Sequence, residues 1–367
     1  MKRRDFLKKA GTGATAATAG ALLTAPYVHA QKNKTYKWKM VTTWAPKSPL
    51  LMDAVDRFVK RVDVMSGGRL KIRAYGAGEL VPAFGCFDAV SKGTVQAANG
   101  ASYYWAGNVP AAQWFSCVPF GLNAQGMAAW FFAGDGLKLW EETYAPFNLI
   151  PRPSGNTGVQ MGGWFNKKIN TLSDFKGLKF RIPGLGGRVV AQAGGAVVLT
   201  PGPEIFTNLE RGVIDATEWI GPFHDLVKGF YKVAKYYYYP GWHEPGTSLE
   251  TIFNKQAYEA LPKELQIILD TAAKESYPWL LSGFDAANGN ALQELVNKHK
   301  VRLLRFPEEV MFKLKVMADE VVEDTANKDP VAKKVNANFR KFQKKIGIWG
   351  QVSERAYYDV VAQQLKL

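Results

Sequence analysis

The stretch from Tyr36 to Trp105 switches hydrophobic period repeatedly, and this switching most narrows the folds open to the chain. YKWKMVTTW alternates apolar and polar residues as a half-buried strand does. Ser48 and Pro49 then read as an N-cap and first helical position. Leu51, Val55, Phe58 and Val62 recur at helical spacing until Gly67-Gly68 stops the helix. RLKIRAYGAG reads as a second strand, PAFGCFDAVSKG as a short helix and VQAANGASYYW as a third strand. A β-α-β-α-β opening predicts α/β structure with a parallel sheet, because parallel neighbours need a crossover segment between them.

After about residue 150 the rhythm starts again. TGVQMGGWFN, the strand in SDFKGLKFRIPG, the helix GRVVAQAGG, the strand AVVLT, the helix PEIFTNLERG and the strand VIDATEW are enough for a second α/β lobe. SLETIFN and the helices after it, the late strand in HKVRLLRFP and a helical segment beyond Pro307 complete the chain. With 367 residues, the chain exceeds what one core usually serves. The expected limits are a leader at 1–30, the first part of lobe I at 31–155, lobe II at 156–245, and a return to lobe I with C-terminal helices at 246–367. A chain that leaves one lobe, builds another and returns makes hinge strands and an interlobe cleft, where small ligands usually bind.

The leader is read from Arg3 and Arg4, Phe6 and Leu7, a weakly apolar Ala/Gly/Thr stretch, and Val28-His29-Ala30 as an A-x-A-like cleavage site. Paired arginines with modest hydrophobicity predict export by the Tat route to the periplasm. The formal charge is +15, of which five basic residues and one acid in the leader carry +4, leaving +11. That excess favours anionic ligands and surfaces. Nucleic acid is not an expected partner: the run Lys333, Lys334, Arg340, Lys341, Lys344 and Lys345 reads as a solvated helix face. Cys86 and Cys117 both lie in apolar surroundings, and the sequence allows either a disulfide or two buried small hydrophobes.

Enzyme motifs fail on inspection. GLGGRV has Val189 where a dinucleotide fingerprint needs glycine, and His224, His243 and His299 have no metal-ligand spacing. No G-x-S-x-G, H-E-x-x-H or P-loop occurs. A set of polar groups in the apolar second lobe stands out instead. Arg181 ends a strand before Ile182-Pro183-Gly184, where a guanidinium can hold a carboxylate through two parallel hydrogen bonds. A structural salt bridge with a neighbouring acid is the plain alternative. Gln160 lies between glycines and aromatics in GVQMGGWF, where a buried amide needs partners. Glu218 and Trp219 in TEWIGP add a carboxylate and a main-chain carbonyl. Together with an amide oxygen these suit a hard cation such as Na+ or Ca2+.

FKGLKFRIPG followed by PEIFTNLERGVIDATEW resembles the second lobe of the TRAP transporter solute-binding proteins of the DctP type. TEWIGP with YYYYPGWHEPG is similar to the subgroup that takes 2-oxo monocarboxylates or lactate with a metal ion. DATEW stands where the wider family commonly has DGQEN, which argues against a C4 dicarboxylate. The resemblance implies a two-lobed periplasmic binding protein of type II-like fold with a long C-terminal helical segment. It also implies membrane permease subunits as partners. By resemblance, Arg181 holds the ligand carboxylate, Gln160 touches both ligand and cation, and Glu218 and the Trp219 carbonyl complete the cation shell. Tyr103 and Tyr104 approach from lobe I, Glu244 closes the site, and Trp219 also borders the ligand. Trp164, Phe206 and Trp242 are candidate pocket walls. The tail fits either a homodimer with an exchanged helix or a monomer. Two further readings stay open: a receptor for a bulkier carboxylate without metal, and a secreted lyase or hydrolase acting on a hydroxy acid.

Overall fold

The structure is a computed structural model that describes residues 34–361. The leader expected at 1–30 lies outside the described residues.

Five strands form the first sheet: β1 (Tyr36–Thr42), β2 (Leu70–Tyr75), β3 (Ala97–Gly100), β4 (Leu149–Asn156) and β10 (Ser248–Asn254), in the order β2-β1-β3-β10-β4. β1 runs parallel to β2 and β3, whereas β10 is antiparallel to β3 and β4. Six strands form the second sheet: β5 (Gly163–Phe165), β6 (Lys179–Arg181), β7 (Ala196–Val198), β8 (Ala216–Thr217), β9 (Tyr236–Tyr239) and β11 (Arg302–Arg305), in the order β11-β9-β5-β8-β6-β7. Each sheet serves one lobe, with parallel pairs covered by crossover helices.

The helices are α1 (Leu51–Met65), α2 (Cys86–Ser91), α3 (Ala112–Ser116), α4 (Ala124–Ala133), α5 (Gly136–Tyr144), α6 (Gly184–Gln192), α7 (Ile205–Glu210), α8 (Pro222–Lys228), α9 (Lys255–Glu259), α10 (Lys263–Asn297), α11 (Glu308–Asn327), α12 (Pro330–Gly350) and α13 (Ala356–Val361). The 35-residue α10 packs on β4, α1 and α8. The C-terminal segment then spans both lobes: α11 packs on α6, while α12 packs on α3, α4 and α5. Its anchors are the Trp114 and Trp130 indole N–H groups, which donate to Asn336 Oδ1 at 3.0 Å and Asn338 Oδ1 at 2.8 Å. Phe339 meets the Trp130 ring edge-on at 5.1 Å.

Four expectations change. Helix α1 starts at Leu51 rather than at Pro49, because Leu50 adopts φ 56° and its N–H donates to Asp53 Oδ2 at 2.8 Å. The third strand ends at Gly100, and Ser102–Trp105 form a 3-10 turn that lifts Tyr103 and Tyr104 off the sheet. VIDATEW pairs only at Ala216 and Thr217, so Glu218 lies beyond the strand end. The late strand β11 pairs with β9 in the second sheet and α11 packs on α6, so the segment from 246 onward serves both lobes rather than lobe I alone. A four-residue strand cannot reveal from its sequence which sheet edge it will extend.

Candidate functional site

The expected site residues lie at or beyond strand ends, where α/β sheets present their ligand crevices, with Gln160 in the segment between β4 and β5. Arg181 is the last residue of β6, Glu218 follows β8, the tyrosine turn follows β3, and the loop 240–247 follows β9. Strand pairing decides the central contact. Arg181 pairs with Thr217 in register, and the Glu218 N–H donates to the Arg181 carbonyl at 3.2 Å. The two side chains are consequently neighbours: Arg181 Nη1 donates to Glu218 Oε1, and Arg181 Nε donates to the Thr200 carbonyl at 3.2 Å. Both side chains are 1% exposed. Arg181 Nη2 and Glu218 Oε2 have no hydrogen-bond partner among the described residues.

The loop 240–247 hangs on Gln160 by its backbone. Gly241 N–H donates to the Gln160 carbonyl at 2.9 Å, and the Gln160 N–H donates to the Glu244 carbonyl at 3.1 Å. Gly241 permits this approach, since a methyl there would sit 2.2 Å from the Gln160 carbonyl oxygen. Next along, the Met161 N–H donates to the Ile220 carbonyl at 3.0 Å, which ties Gln160 to the Glu218–Ile220 segment as well. The Gln160 amide nitrogen donates to Thr157 Oγ1 at 3.1 Å and the Thr247 hydroxyl donates to Glu244 Oε2. Gln160 Oε1 and Glu244 Oε1 are left buried and unpartnered, as are both ring nitrogens of His243. His243 Nε2 lies 3.4 Å from Glu218 Oε2, and ligand atoms of Glu218, His243 and Glu244 fall within 4.8 Å of one another.

The other lobe closes over this group. Tyr103 and Tyr104 meet edge-to-face at 4.8 Å, and both hydroxyls are within electrostatic reach of Arg181. Gly184, at φ 58°, puts the start of α6 against the Tyr103 side chain. The Trp219 indole lies between the Arg181 guanidinium at 5.4 Å and the Lys228 ammonium at 4.8 Å. Its N–H donates to His224 Nδ1 at 3.0 Å, and His224 Nε2 is 2.7 Å from the Pro49 carbonyl. That geometry makes Nε2 the protonated nitrogen of His224.

Burial governs the charges. Desolvation pushes Glu218 up to about 7 despite Arg181, and pushes Glu244 up to about 8 with Glu218 adding to the rise. Desolvation also holds His243 down to about 4 and Lys228 down to about 8, so the imidazole is neutral near pH 7. Isolated buried carboxylates resist ionisation, and a cation among them reverses the preference. The donors fit one: Glu218 and Glu244 each present an unpartnered carboxylate oxygen within a group whose ligand atoms fall within 4.8 Å, and the unpartnered Gln160 oxygen belongs to the residue whose backbone holds Glu244.

Arg181, Gln160, Glu218, Trp219, Tyr103, Tyr104 and Glu244 thus lie together. Arg181 and Glu218 touch directly, where the sequence reading placed ligand and cation between them; two opposite charges buried side by side pair through the nearest atoms. Trp164 does not wall this group: its N–H donates to Asp225 Oδ2 at 3.0 Å and its ring stacks on Tyr237 at 4.1 Å. Phe206 lies near Gly229, and Trp242 stacks on Phe120 at 5.7 Å. Cys86 and Cys117 are free thiols, both buried, and Cys117 adjoins Glu244 and Thr247. His243 was the residue missed. Spacing rules look for histidines in pairs, whereas its partners here are an adjacent acid and one twenty-five residues away.

The family described as bacterial extracellular solute-binding protein, family 7, matches residues 40–329. A monocarboxylate 2-oxoacid-binding periplasmic protein of Nostoc sp. is 43% identical over 361 residues, covering 97% of this chain and 98% of the relative. A TRAP periplasmic solute binding protein of Pseudoalteromonas atlantica, solved with sodium and pyruvate, is 40% identical with TM-score 0.87, covering 91% of this chain and 100% of that one. Its counterpart from Colwellia psychrerythraea, solved with calcium and pyruvate, is 42% identical with TM-score 0.86, covering 89% and 99%. A third, from Bordetella bronchiseptica, is a mixed-occupancy dimer with copurified calcium and picolinate at one site, 37% identical with TM-score 0.87, covering 90% and 100%. The two-lobed fold and the match over most of its length make this chain a member of the family 7 extracellular solute-binding proteins, the DctP receptors of TRAP transporters.

Proposed function

We propose that the chain captures a small 2-oxo or 2-hydroxy monocarboxylate together with a cation, and delivers it to TRAP permease subunits without changing it. The observation that carries this reading is the convergence of six unpartnered buried polar atoms from Gln160, Arg181, Glu218, His243 and Glu244 at the meeting of two lobes. Native interiors rarely leave such atoms unpaired, so their clustering points to something bound there.

In the proposed arrangement Arg181 Nη2 donates to the ligand carboxylate, and Tyr103 and Tyr104 border it from lobe I. Gln160 Oε1, Glu218 Oε2 and the Trp219 main-chain carbonyl hold the cation, Na+ or Ca2+, which supplies a positive centre for the carboxylate and the adjacent oxygen to chelate. Glu244 lies against the same group. Trp219 is held for this by His224 on one side and Lys228 on another. Closing the lobes, with the strands between them as hinges, removes water and strengthens each of these interactions. The donor set favours this over a metal-free receptor for a bulkier acid, because unpaired carboxylates would otherwise face a second anion.

The twin-arginine leader sends the chain through the Tat route, and the periplasm of the named relative agrees with that destination. A homodimer is part of the reading. Ile348, Trp349, Val352, Tyr357, Tyr358 and Val360 are exposed along the end of α12, the π-helical turn at Gln351–Arg355, and α13. Apolar surface gathered in one segment marks an interface.

The test is a thermal shift of chelator-treated protein with pyruvate, lactate and longer 2-oxo acids, each with and without Ca2+ or Na+. A rise in Tm that requires both acid and cation, with the acid recovered unchanged, is the expected result. A full shift with acid alone favours the metal-free reading, and consumption of the acid favours an enzyme.

A further inference from the structure

The end of the second sheet away from the ligand site carries a group of uncompensated cations. Tyr236 opens β9 and Arg302 opens the parallel β11, whereas the loop 240–247 follows the other end of β9. A cavity of about 540 Å³ lies at these strand starts, and Lys232, Lys235, Lys300, Arg302, Tyr231 and Tyr236 line it with no carboxylate among them. Lys168 reaches the same patch: its ammonium stands 6.0 Å from the centre of the Tyr236 ring, which the Arg302 guanidinium covers at 5.8 Å. None of these five cations has an ion pair among the described residues. Glu294, near the end of α10, is already held by Lys298 at 2.9 Å and His299 at 3.5 Å.

Such a patch works against the fold unless something uses it. Like charges without counter-ions repel, and Lys300 holds a left-handed backbone at φ 53°, where glycine or asparagine sits more easily. The basic run on α12 differs, because Lys334 pairs with Glu142 and Arg340 reaches Asp319 at 3.1 Å. The tyrosines add a second property. Tyr231 lies 5.7 Å from the Lys232 ammonium and meets the His299 ring at 4.0 Å, and both Tyr231 and Tyr236 are half-buried. Tyrosine among Lys and Arg is the residue mixture of a lipid interface, where rings and alkyl stems enter the headgroup layer and the charges meet phosphate. A free inorganic anion uses the charges alone.

We infer that this end of the second lobe docks on an anionic phospholipid surface, with Lys168, Lys232, Lys235, Lys300 and Arg302 against the lipid phosphates. A TRAP transporter receptor works beside a bilayer, and contact through the strand starts leaves the ligand crevice at the strand ends open. The inference depends on the family and on this patch, and not on which acid or cation the crevice takes.

The test sediments the chain without residues 1–30, which carry basic residues of their own, with lipid vesicles. Vesicles of phosphatidylcholine alone are compared with vesicles of phosphatidylglycerol and phosphatidylcholine in about equal parts, at about 0.1 M salt, where charges more than ~10 Å from the surface are screened. Binding should require phosphatidylglycerol and fall at least about ten-fold when salt is raised to about 0.5 M. Lys232→Glu with Lys300→Glu and Arg302→Glu should lower vesicle affinity at least about hundred-fold while Tm is kept. The same charge change on α12, Lys341→Glu with Lys344→Glu and Lys345→Glu, should lower it less than about five-fold. Should the first variant fail to fold, Lys232→Gln with Lys300→Gln decides, with a loss of at least about ten-fold expected. Equal losses from the two charge reversals, unchanged affinity in a folded patch variant, or equal binding to both kinds of vesicle overturns the inference. Displacement from the vesicles by free glycerol phosphate overturns it as well, since the patch is then a pocket for a small phosphate. Vesicle binding in a protein that takes no 2-oxo acid under any cation supports this inference and overturns the ligand reading instead.

Discussion

At the residue scale the site is governed by how few partners each buried charge has. Arg181 uses Nε on a carbonyl and Nη1 on Glu218, the Tyr104 hydroxyl lies against its guanidinium, and Nη2 has no hydrogen-bond partner among the described residues. Lysine in its place retains the charge but loses the planar fork. Arg181→Lys should therefore weaken pyruvate binding about ten- to hundred-fold, equivalent to about 1.4–2.8 kcal/mol, read by calorimetry. The carboxyls set the pH response. Asp225 and Glu218 are pushed up to about 7, and Glu244 and Glu250 to about 8, all above their ordinary values. A carboxyl raised in the fold stabilises it at low pH, and that stability is lost as pH rises through the raised value. His224 and His243, both held down to about 4, act oppositely but only below about pH 6.5, and Lys228 acts oppositely only above about 8. Between about pH 6.5 and 8 the carboxyls alone govern, so the Tm of cation-free protein should fall across that interval. Cation binding needs the ionised forms and releases their protons, so its affinity should rise over the same interval. Scanning calorimetry with and without Ca2+ and pyruvate measures both: the loss of Tm seen without ligand should shrink when the site is saturated.

At the scale of elements, the loop 240–247 places His243 and Glu244 only because its backbone lies against Gln160. Gly241 is the contact point, and an added methyl meets a carbonyl that two backbone hydrogen bonds hold in place. Gly241→Ala should cost about 1–3 kcal/mol of stability through forced separation. It should also weaken acid binding, since His243 and Glu244 move with the loop. Thermal unfolding and calorimetry on the same sample check both effects, and a variant with wild-type Tm and affinity would show that the loop is not held this way.

At the scale of the whole molecule, the C-terminal segment fastens the two lobes at one side, through α11 on α6 and α12 on α3 to α5, and then runs out into exposed aromatic and aliphatic residues. If that end is a dimer contact, Trp349→Asp with Tyr358→Asp should convert a dimer to a monomer in light scattering while leaving the Tm of the ligand-bound form within about 3 °C, because both side chains are exposed in the single chain. A wild-type monomer would remove the contact from the reading.

Periodicity alone gave the α/β class and the repeated rhythm, because a strand period of two and a helix period of 3.6 are local properties that survive without neighbours. Arg181, Glu218 and Gln160 were legible for a related reason: ionisable or amide groups inside apolar runs stand out wherever the runs fold. Sheet membership was not legible. β8 pairs at two residues and β11 at four, and their partners are chosen by non-local packing. The place of His243 in the site was not legible because it depends on the 3.4 Å to Glu218, a distance set by the β6–β8 register and the Gln160–Gly241 contact. The sequence by itself determined which chemical groups must be buried and therefore need partners. Only the tertiary structure decided which of them meet, because that depends on pairings across the chain that no local pattern encodes.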